Sequence, residues 1–334
     1  MTEQKADTTR LQRFARAYCE SAVLFAAIDL ELFTHIAHGA DTEQELSRAM
    51  GITALNVERM VAVALAMGLI EWDGKTLCNA PDTARFLVKG EPRYAADWLM
   101  FTRPSVPEWF RLTEHLKRKE APVTLGMYED LTVEEARKYH AATYSIGVGA
   151  GKRFSRLVDL SKRRKLLDLG GGSGAYSISA VQTFPKLRAV VLDLPPVTEV
   201  TKEYLRLNGV EDRVTTLPGD FTKTAFPNDV DAVVMASNLP IYDDEVIQLV
   251  VSKVHAALLP GGEFHLVGEM INDDRRGPLD AALWGMNEAI CHSGGKTHTI
   301  AQCIGYFKQA GFAKISDEVF VPGTLHRVTG LKAG

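Results

Sequence analysis

Apolar positions in this chain change their period once, near residue 160: before it they recur every three or four residues, and after it short apolar runs alternate with amphipathic stretches. From Leu11 to Ala37, residues Phe14, Tyr18, Val23, Phe25, Ile28 and Leu32 supply apolar faces at helical spacing, more than one exposed helix needs. Part of that surface is expected to pack against another subunit. Thr42 followed by Glu45 is a capping box that opens a short helix to Met50. Thr53 starts another, which runs to Gly68 through Leu55, Val57, Met60, Val61, Val63 and Leu65. Leu69–Trp72 and Thr76–Cys78, joined by Asp73-Gly74, predict a hairpin. Three helices and a hairpin make a winged-helix arrangement. Ala95–Lys119, with Trp98, Phe101 and Trp109, reads as helical, and a second capping box, Thr132 to Glu135, opens a helix through Tyr139, His140, Thr143 and Tyr144.

From Lys165 strand and helix patterns alternate. Lys165–Leu169 and Arg188–Asp193 are the first two strands, with a helix to Phe184 between them and a helix Pro195–Asn208 after. Arg213–Leu217 and Val230–Met235 follow, then a helix from Asp243 to Leu258 and a fifth strand, Glu263–Val267. Lys314–Val319 and His326–Gly330 add the last strands. This order predicts an α/β, doubly wound, Rossmann-like sheet whose ligand sits beyond the carboxyl ends of the first strands. The expected domains are a winged-helix unit (1–100), a helical connection (101–160) and a ligand-binding sheet (161–334).

Composition narrows the function classes. The 334 residues are 46% apolar and 24% charged with a net charge of −4, which gives no electrostatic footprint for nucleic acid or an anionic membrane. The helix 54–67, where a DNA-reading winged helix would place its basic contacts, holds one arginine in a mostly apolar run, so it reads as a scaffold and dimerisation element. No apolar run of membrane-spanning length and no signal-peptide pattern occurs, and the four cysteines match neither a metal spacing nor a disulfide framework. A cytoplasmic protein without a bound metal is expected.

The densest motif is Asp168-Leu-Gly170-Gly171-Gly172-Ser-Gly174, at the turn from the first strand into the next helix. Glycines there allow a positive φ and let a ligand approach the backbone, and the helix start offers unpaired N–H groups. Gly170, Gly172 and Ala175 satisfy a loose dinucleotide spacing. Asp168 argues against a pyrophosphate, which it would repel, and for a ligand with an ammonium group, as in S-adenosylmethionine sites. Asp193 ends the second strand where ribose hydroxyls need an acceptor, and Asp220 with Phe221 follows the third, where an adenine needs an acceptor and an aromatic face. With Leu194, these make the candidate cofactor set Asp168, Gly170, Gly172, Gly174, Asp193, Leu194, Asp220 and Phe221.

Asp168-x-Gly-Gly-Gly-x-Gly, Val191-Leu-Asp193-Leu-Pro-Pro-Val197, Gly219-Asp220-Phe221, Leu259-Pro-Gly-Gly262 and Gly294-Gly-Lys296 together resemble the small-molecule O-methyltransferase family, over nearly the whole chain. The resemblance implies an S-adenosylmethionine-dependent methyltransferase, a small-molecule acceptor and an intertwined homodimer. It also exposes departures. The family's histidine base falls on Pro240, the Asp and Trp beside it on Ile241 and Tyr242, and a supporting glutamate on Thr297; a second acid is retained as Glu269.

Physical chemistry gives those departures a meaning. A phenol with a pKa near 10 must lose its proton to become a good nucleophile. A thioether has none to lose and needs only alignment in a water-poor, electron-rich site. Glu269, Tyr242 and Tyr144 are therefore the expected catalytic lining, and the chain resembles those base-less members that S-methylate 4-methylthio-2-hydroxybutyrate in dimethylsulfoniopropionate synthesis. A relocated base serving an O- or C-methyltransferase of an aromatic natural product is the alternative, and a cofactor-binding protein without turnover is a third. Tyr139, His140, Trp284, His292 and His298 are the candidate acceptor-binding residues. The histidines among them are placed to bind an acceptor carboxylate or to act as a moved base.

Overall fold

The computed structural model describes residues 6–123, 128 and 130–334. They divide into two compact units, 1–104 and 105–334. The first contains α1 (Thr9–Asp29), α2 (Leu32–Ala37), α3 (Glu43–Met50), α4 (Ala54–Ala66), the strands β1 (Ile70–Trp72) and β2 (Leu77–Asn79), α5 (Pro81–Phe86) and α6 (Ala96–Phe101). Its core is Leu32, Phe33, Leu46, Val57, Ala64, Ile70 and Leu77. The capping box at Thr42 and Glu45 forms, Thr53 caps α4, and Asp73 ties the hairpin turn through the backbone N–H groups of Lys75 and Thr76. The expected single helix over Leu11–Ala37 is two, because Glu31 turns left-handed (φ 51°) between them. On α1 the side chains of Leu11, Phe14 and Tyr18 are exposed.

The second unit begins with α7 (Val106–Phe110) and α8 (Leu112–Leu116). A continuous helix over Ala95–Lys119 does not form: Pro104 and Pro107 restrict the residues before them, and the segment breaks into α6, a short 3₁₀ turn at Arg103–Ser105, α7 and α8. Next come α9 (Val133–Leu157), β3 (Lys165–Leu169), α10 (Ala175–Thr183), β4 (Arg188–Asp193), α11 (Pro195–Leu207), β5 (Val214–Pro218) and β6 (Val230–Ala236). Then follow α12 (Asp244–Ala257), β7 (Leu258–Gly268), β8 (Met270–Ile271), α13 (Leu279–Cys291), β9 (His298–Thr299), α14 (Ile300–Ala310), β10 (Ala313–Val321) and β11 (Leu325–Leu331). Among the described residues, β10-β11-β7-β6-β3-β4-β5 make one sheet, parallel from β7 to β5 and antiparallel at the β10-β11 edge.

Its strands are apolar on both faces. Leu167 and Leu169 of β3 pack with α12 and α14 residues such as Val250 and Phe307, while Leu166 packs with Phe154, Ile178 and Val181 on the α9–α10 side. The segment read as a connection belongs, from Ser105 on, to this sheet unit, with α9 packed along α10 and α11. That approach depends on glycine: a Cβ on Gly151 would lie 2.6 Å from the carbonyl oxygen of Ala175. The chain crosses from one side of the sheet to the other at β3, between β4 and β6, and such a switch point opens a crevice above the strand ends. Among the described residues no single helix is long and apolar enough to cross a membrane.

Candidate active site

The glycine loop sits in that crevice and is held from several sides. Gly170 (φ +60°) lies so close to Asn238, at the end of β6, that an added Cβ would be 2.7 Å from its amide. Asn238 Nδ2 donates to the carbonyl oxygens of Ala236 (2.8 Å) and Gly170 (3.2 Å), joining the ends of β6 and β3. Gly172 (φ +57°) donates its N–H to Asp193 Oδ2 at 2.8 Å and accepts from Thr201 Oγ1 at 2.6 Å. A Cβ there would be 2.6 Å from His140 Cε1. Gly174, also left-handed, leads into α10. The loop is thus a fixed cradle with bare backbone, the surface a ligand's polar end needs.

Its carboxylates differ in what they face. Asp168 is fully buried and accepts from Ser177 Oγ at 2.7 Å, beneath the loop. Burial, opposed by Ser177, pushes it up to about 6. Through Oδ2 its carboxylate ties the loop to the start of α10. Asp193 accepts from Gly172 N and, through Oδ1, from Leu194 N at 2.7 Å, and burial raises it to about 6. A carboxylate has about four acceptor sites, so two remain for hydroxyl groups. Burial pulls Asp220 upward, but bonds from Thr222 and Lys223 win and hold it below the usual range. Phe221 is buried, its ring edge-on to Tyr242 at 5.4 Å between centroids.

The position after β6 is closed by backbone. Pro240 is buried, and its carbonyl oxygen lies 2.0 Å from where a Cβ on Gly295 would be. Thr297 fits because α13 has Gly285 opposite it; a Cβ on Gly285 would be 1.7 Å from Thr297 Oγ1. Glu269, directly after β7, is only 7% exposed, and its Oε2 has no hydrogen-bond partner. Burial raises it to about 7, against a bond from Ser237 and with help from Asp280 and Glu288.

The remaining candidates separate. Tyr139 is edge-on to both Tyr128 and His140. His140 is buried, which lowers it to about 4 and keeps it neutral, and it lies over Gly172 on the cofactor side. His292 takes a left-handed turn at the end of α13, and its carbonyl accepts from Val123 N at 2.9 Å. Trp284 is half-buried on the same helix. Tyr242 is buried beside Phe221 and feels the charges of Asp220, Asp193 and Glu288. His298 is wholly buried, with Nε2 bonded to the Tyr242 carbonyl and Nδ1 to the Tyr306 hydroxyl, both at 2.9 Å, so neither nitrogen is available to an acceptor. Tyr144 stacks on Tyr204 (4.2 Å) and accepts from Asn208 Nδ2 at 2.7 Å, which makes it a packing residue between α9 and α11.

Sequence reasoning missed Asn238, Ser177, Thr201 and Glu288. The first three are polar residues whose role is to bond loop atoms distant in the chain. Glu288 carried a visible signal, an acid in a mostly apolar stretch of α13.

Comparison with known proteins bears directly on this arrangement. Residues 124–313 match the O-methyltransferase domain, and residues 12–90 match the O-methyltransferase dimerisation domain. The chain is similar to 3-hydroxy-5-methyl-1-naphthoate 3-O-methyltransferase from Streptomyces sahachiroi, at 29% identity over 97% of this chain and 95% of that one. It is also similar to N,N-dimethyltransferase OxyT from Streptomyces rimosus, at 26% identity over 92% and 91%. The fold matches human N-acetylserotonin methyltransferase, solved in complex with S-adenosylmethionine, with a TM-score of 0.81, 22% identity and 100% coverage of both chains. The catalytic-domain match spans more than half of the chain: this protein belongs to the O-methyltransferase family and is an S-adenosylmethionine-dependent methyltransferase.

Proposed function

We propose that this enzyme methylates a small aromatic acceptor and that Glu269 receives the proton the acceptor loses. The bare cradle at Gly170–Gly172 and the spare acceptor capacity of Asp193 fit the cofactor. Asp193 would take the ribose hydroxyls, with Leu194 beside it, and Asp220 and Phe221 the adenine end. When bound, S-adenosylmethionine supplies an electrophilic methyl group on a positively charged sulfur. The chain's part is to align the acceptor, exclude water and hold a proton. Tyr139, Tyr242, Trp284 and His292 are the acceptor-lining residues in this reading, and His140 is a neutral group above the loop.

The observation that carries the proposal is the buried Glu269, with an unpartnered Oε2 and a pKa near 7, in a site whose usual base position is Pro240. A carboxylate raised by burial is a better base than a solvated one, and general-base catalysis is worth about 10²–10⁴-fold in rate. The relatives named above, which act on oxygen and nitrogen, support a proton-bearing acceptor. We also infer a homodimer built on the dimerisation-domain match and the exposed Leu11, Phe14 and Tyr18.

A second reading, S-methylation of a thioether acid such as 4-methylthio-2-hydroxybutyrate, is favoured by one feature. The Gly295 and Thr297 packing fills the place of the lost base and its supporting acid. One experiment separates the two. S-adenosylhomocysteine release is measured with phenols, amines and thioether acids against pH, for the wild type and Glu269→Gln. A base that works ionised makes the rate rise through pH of about 7 and level off above, and Glu269→Gln should lower turnover by about 10²-fold or more. Turnover only with thioethers, indifferent to Glu269→Gln, defeats the base assignment and leaves the thioether reading.

A further inference from the structure

Glu288 has no task in the chemistry above, yet it is as buried as Glu269, at 6% exposure. It lies on α13, which packs on the short helix carrying Pro240 and on β8, the strand that follows Glu269. The packing of α13 on β8 brings Glu288 within electrostatic reach of Glu269, whose carboxyl it helps to raise. Ser293 Oγ donates to Glu288 Oε2 at 2.5 Å and itself accepts from Gly295 N at 3.0 Å, so the Glu288 side chain is oriented by a serine fixed to the glycine turn. Glu269 Oε2 has no hydrogen-bond partner. Tyr128 and Tyr139 complete the cluster: their rings are 6.1 Å apart and edge-on, their hydroxyls are 3.5 Å apart, and Tyr128 feels the charge of Glu288 as Tyr139 feels that of Glu269.

Burying a carboxylate without a cation costs several kcal/mol, and two close together cost more. A buried carboxylate either keeps its proton or meets a cation, and a bound ligand is one source of that cation. Carboxylates together with aromatic rings are the donor set that recognises an organic ammonium group, through charge, hydrogen bonds and ring quadrupoles. We propose that the acceptor carries a basic amine, bound as its ammonium form by Glu288 beside Tyr128 and Tyr139. The inference rests on the methyltransferase reading above and names the acceptor's class within it. It excludes acceptors whose only polar handle at that end is a carboxylate, which two glutamates would repel. Pairing Glu288 with an ammonium removes one charge that raises Glu269 but leaves the larger cause, its burial, in place.

Calorimetry on the wild-type protein saturated with S-adenosylhomocysteine tests this at about pH 8, above the value of about 7 for Glu269 and where an alkylamine is still protonated. The probes are tyramine, 4-ethylphenol and 3-(4-hydroxyphenyl)propionate, which share a phenol and differ in the charge at the other end. Tyramine should bind at least about tenfold more tightly than 4-ethylphenol, with the propionate weakest. In Glu288→Gln, whose amide oxygen still accepts from Ser293, the tyramine-to-ethylphenol ratio should fall toward one, with a melting curve recording that the variant is folded. Equal or tighter binding of the neutral or anionic probe, or no binding of any probe up to about 10 mM, overturns the proposal. If that happens while turnover still depends on Glu269, the amine class alone is wrong.

Discussion

The carboxylate of Asp193 has two roles that a single isosteric change should pull apart. In Asp193→Asn the shape is kept, but an amide has one accepting atom where the carboxylate has two, and Asp193 uses both: Oδ2 for Gly172 N and Oδ1 for Leu194 N. One of these backbone N–H groups must then face an NH₂, at a cost of about 1–3 kcal/mol. The opposite contribution comes from charge. The ordinary aspartate value is 3.8, and burial lifts Asp193 to about 6. A group whose folded pKa is raised stabilises the fold below its unfolded pKa, and that stability is lost as pH rises from about 4 through about 6. At neutral pH the ionised carboxylate therefore costs the cofactor-free protein up to about 3 kcal/mol, an upper bound because the residue is only partly shielded from water. Asparagine relieves that cost while orphaning one N–H, so the melting temperature of the cofactor-free protein at pH 7 should change by only a few degrees. At pH 4, where the wild type is protonated, only the penalty remains and the variant should melt lower than the wild type. Cofactor affinity has no such compensation. Calorimetry with S-adenosylhomocysteine should show a loss of about 1.5–3 kcal/mol, the worth of hydrogen bonds to a charged acceptor. Unchanged affinity in a folded Asp193→Asn protein would refute the assignment of Asp193 to the cofactor.

Two further changes follow from the packing. In α9, Gly149→Ala enters open space in a helix interior and should stabilise by up to about 1 kcal/mol, whereas Gly151→Ala drives a Cβ against the Ala175 carbonyl and should cost about 1–3 kcal/mol, both read from thermal melting; a stabilising Gly151→Ala would mean that α9 does not lie on α10 as described. Pro240→His should not raise turnover, because the residue sits against Gly295 and the glutamate that would support an imidazole is Thr297; a tenfold or greater gain in kcat would show that the family's base arrangement can still be rebuilt here.

The sheet was legible because its signals are local and repeated. Apolar runs of strand length, glycine or proline breaks and capping pairs such as Thr132 with Glu135 recur at each boundary, and each element can be read without knowing its neighbours. The same locality explains the errors in the helices. Apolar spacing continues across Leu30-Glu31 and across Pro104, so periodicity alone cannot see that the backbone turns there.

The site was legible only as far as its residues are adjacent in the chain. The glycine loop declares itself, since a ligand cradle needs several small residues in one turn. What each acid faces depends on partners far away: Asp168 is turned inward by Ser177, and Asp193 reaches back twenty-one residues to Gly172. Histidines are the hardest to read. His298 stands one residue beyond a catalytic position of the family and looks available on the page, but Tyr306 and the Tyr242 carbonyl take both its nitrogens. Tyr144 likewise stacks on Tyr204 and accepts from Asn208, partners far from it in the chain. Conversely, an acid in a helix is normally a solvated one, and it is the burial of Glu288 that sets it apart. A missing residue such as the base at Pro240 therefore cannot by itself identify the reaction. What replaces it is argued from the buried groups near that position, and here one of them is Glu269, with an unpartnered Oε2.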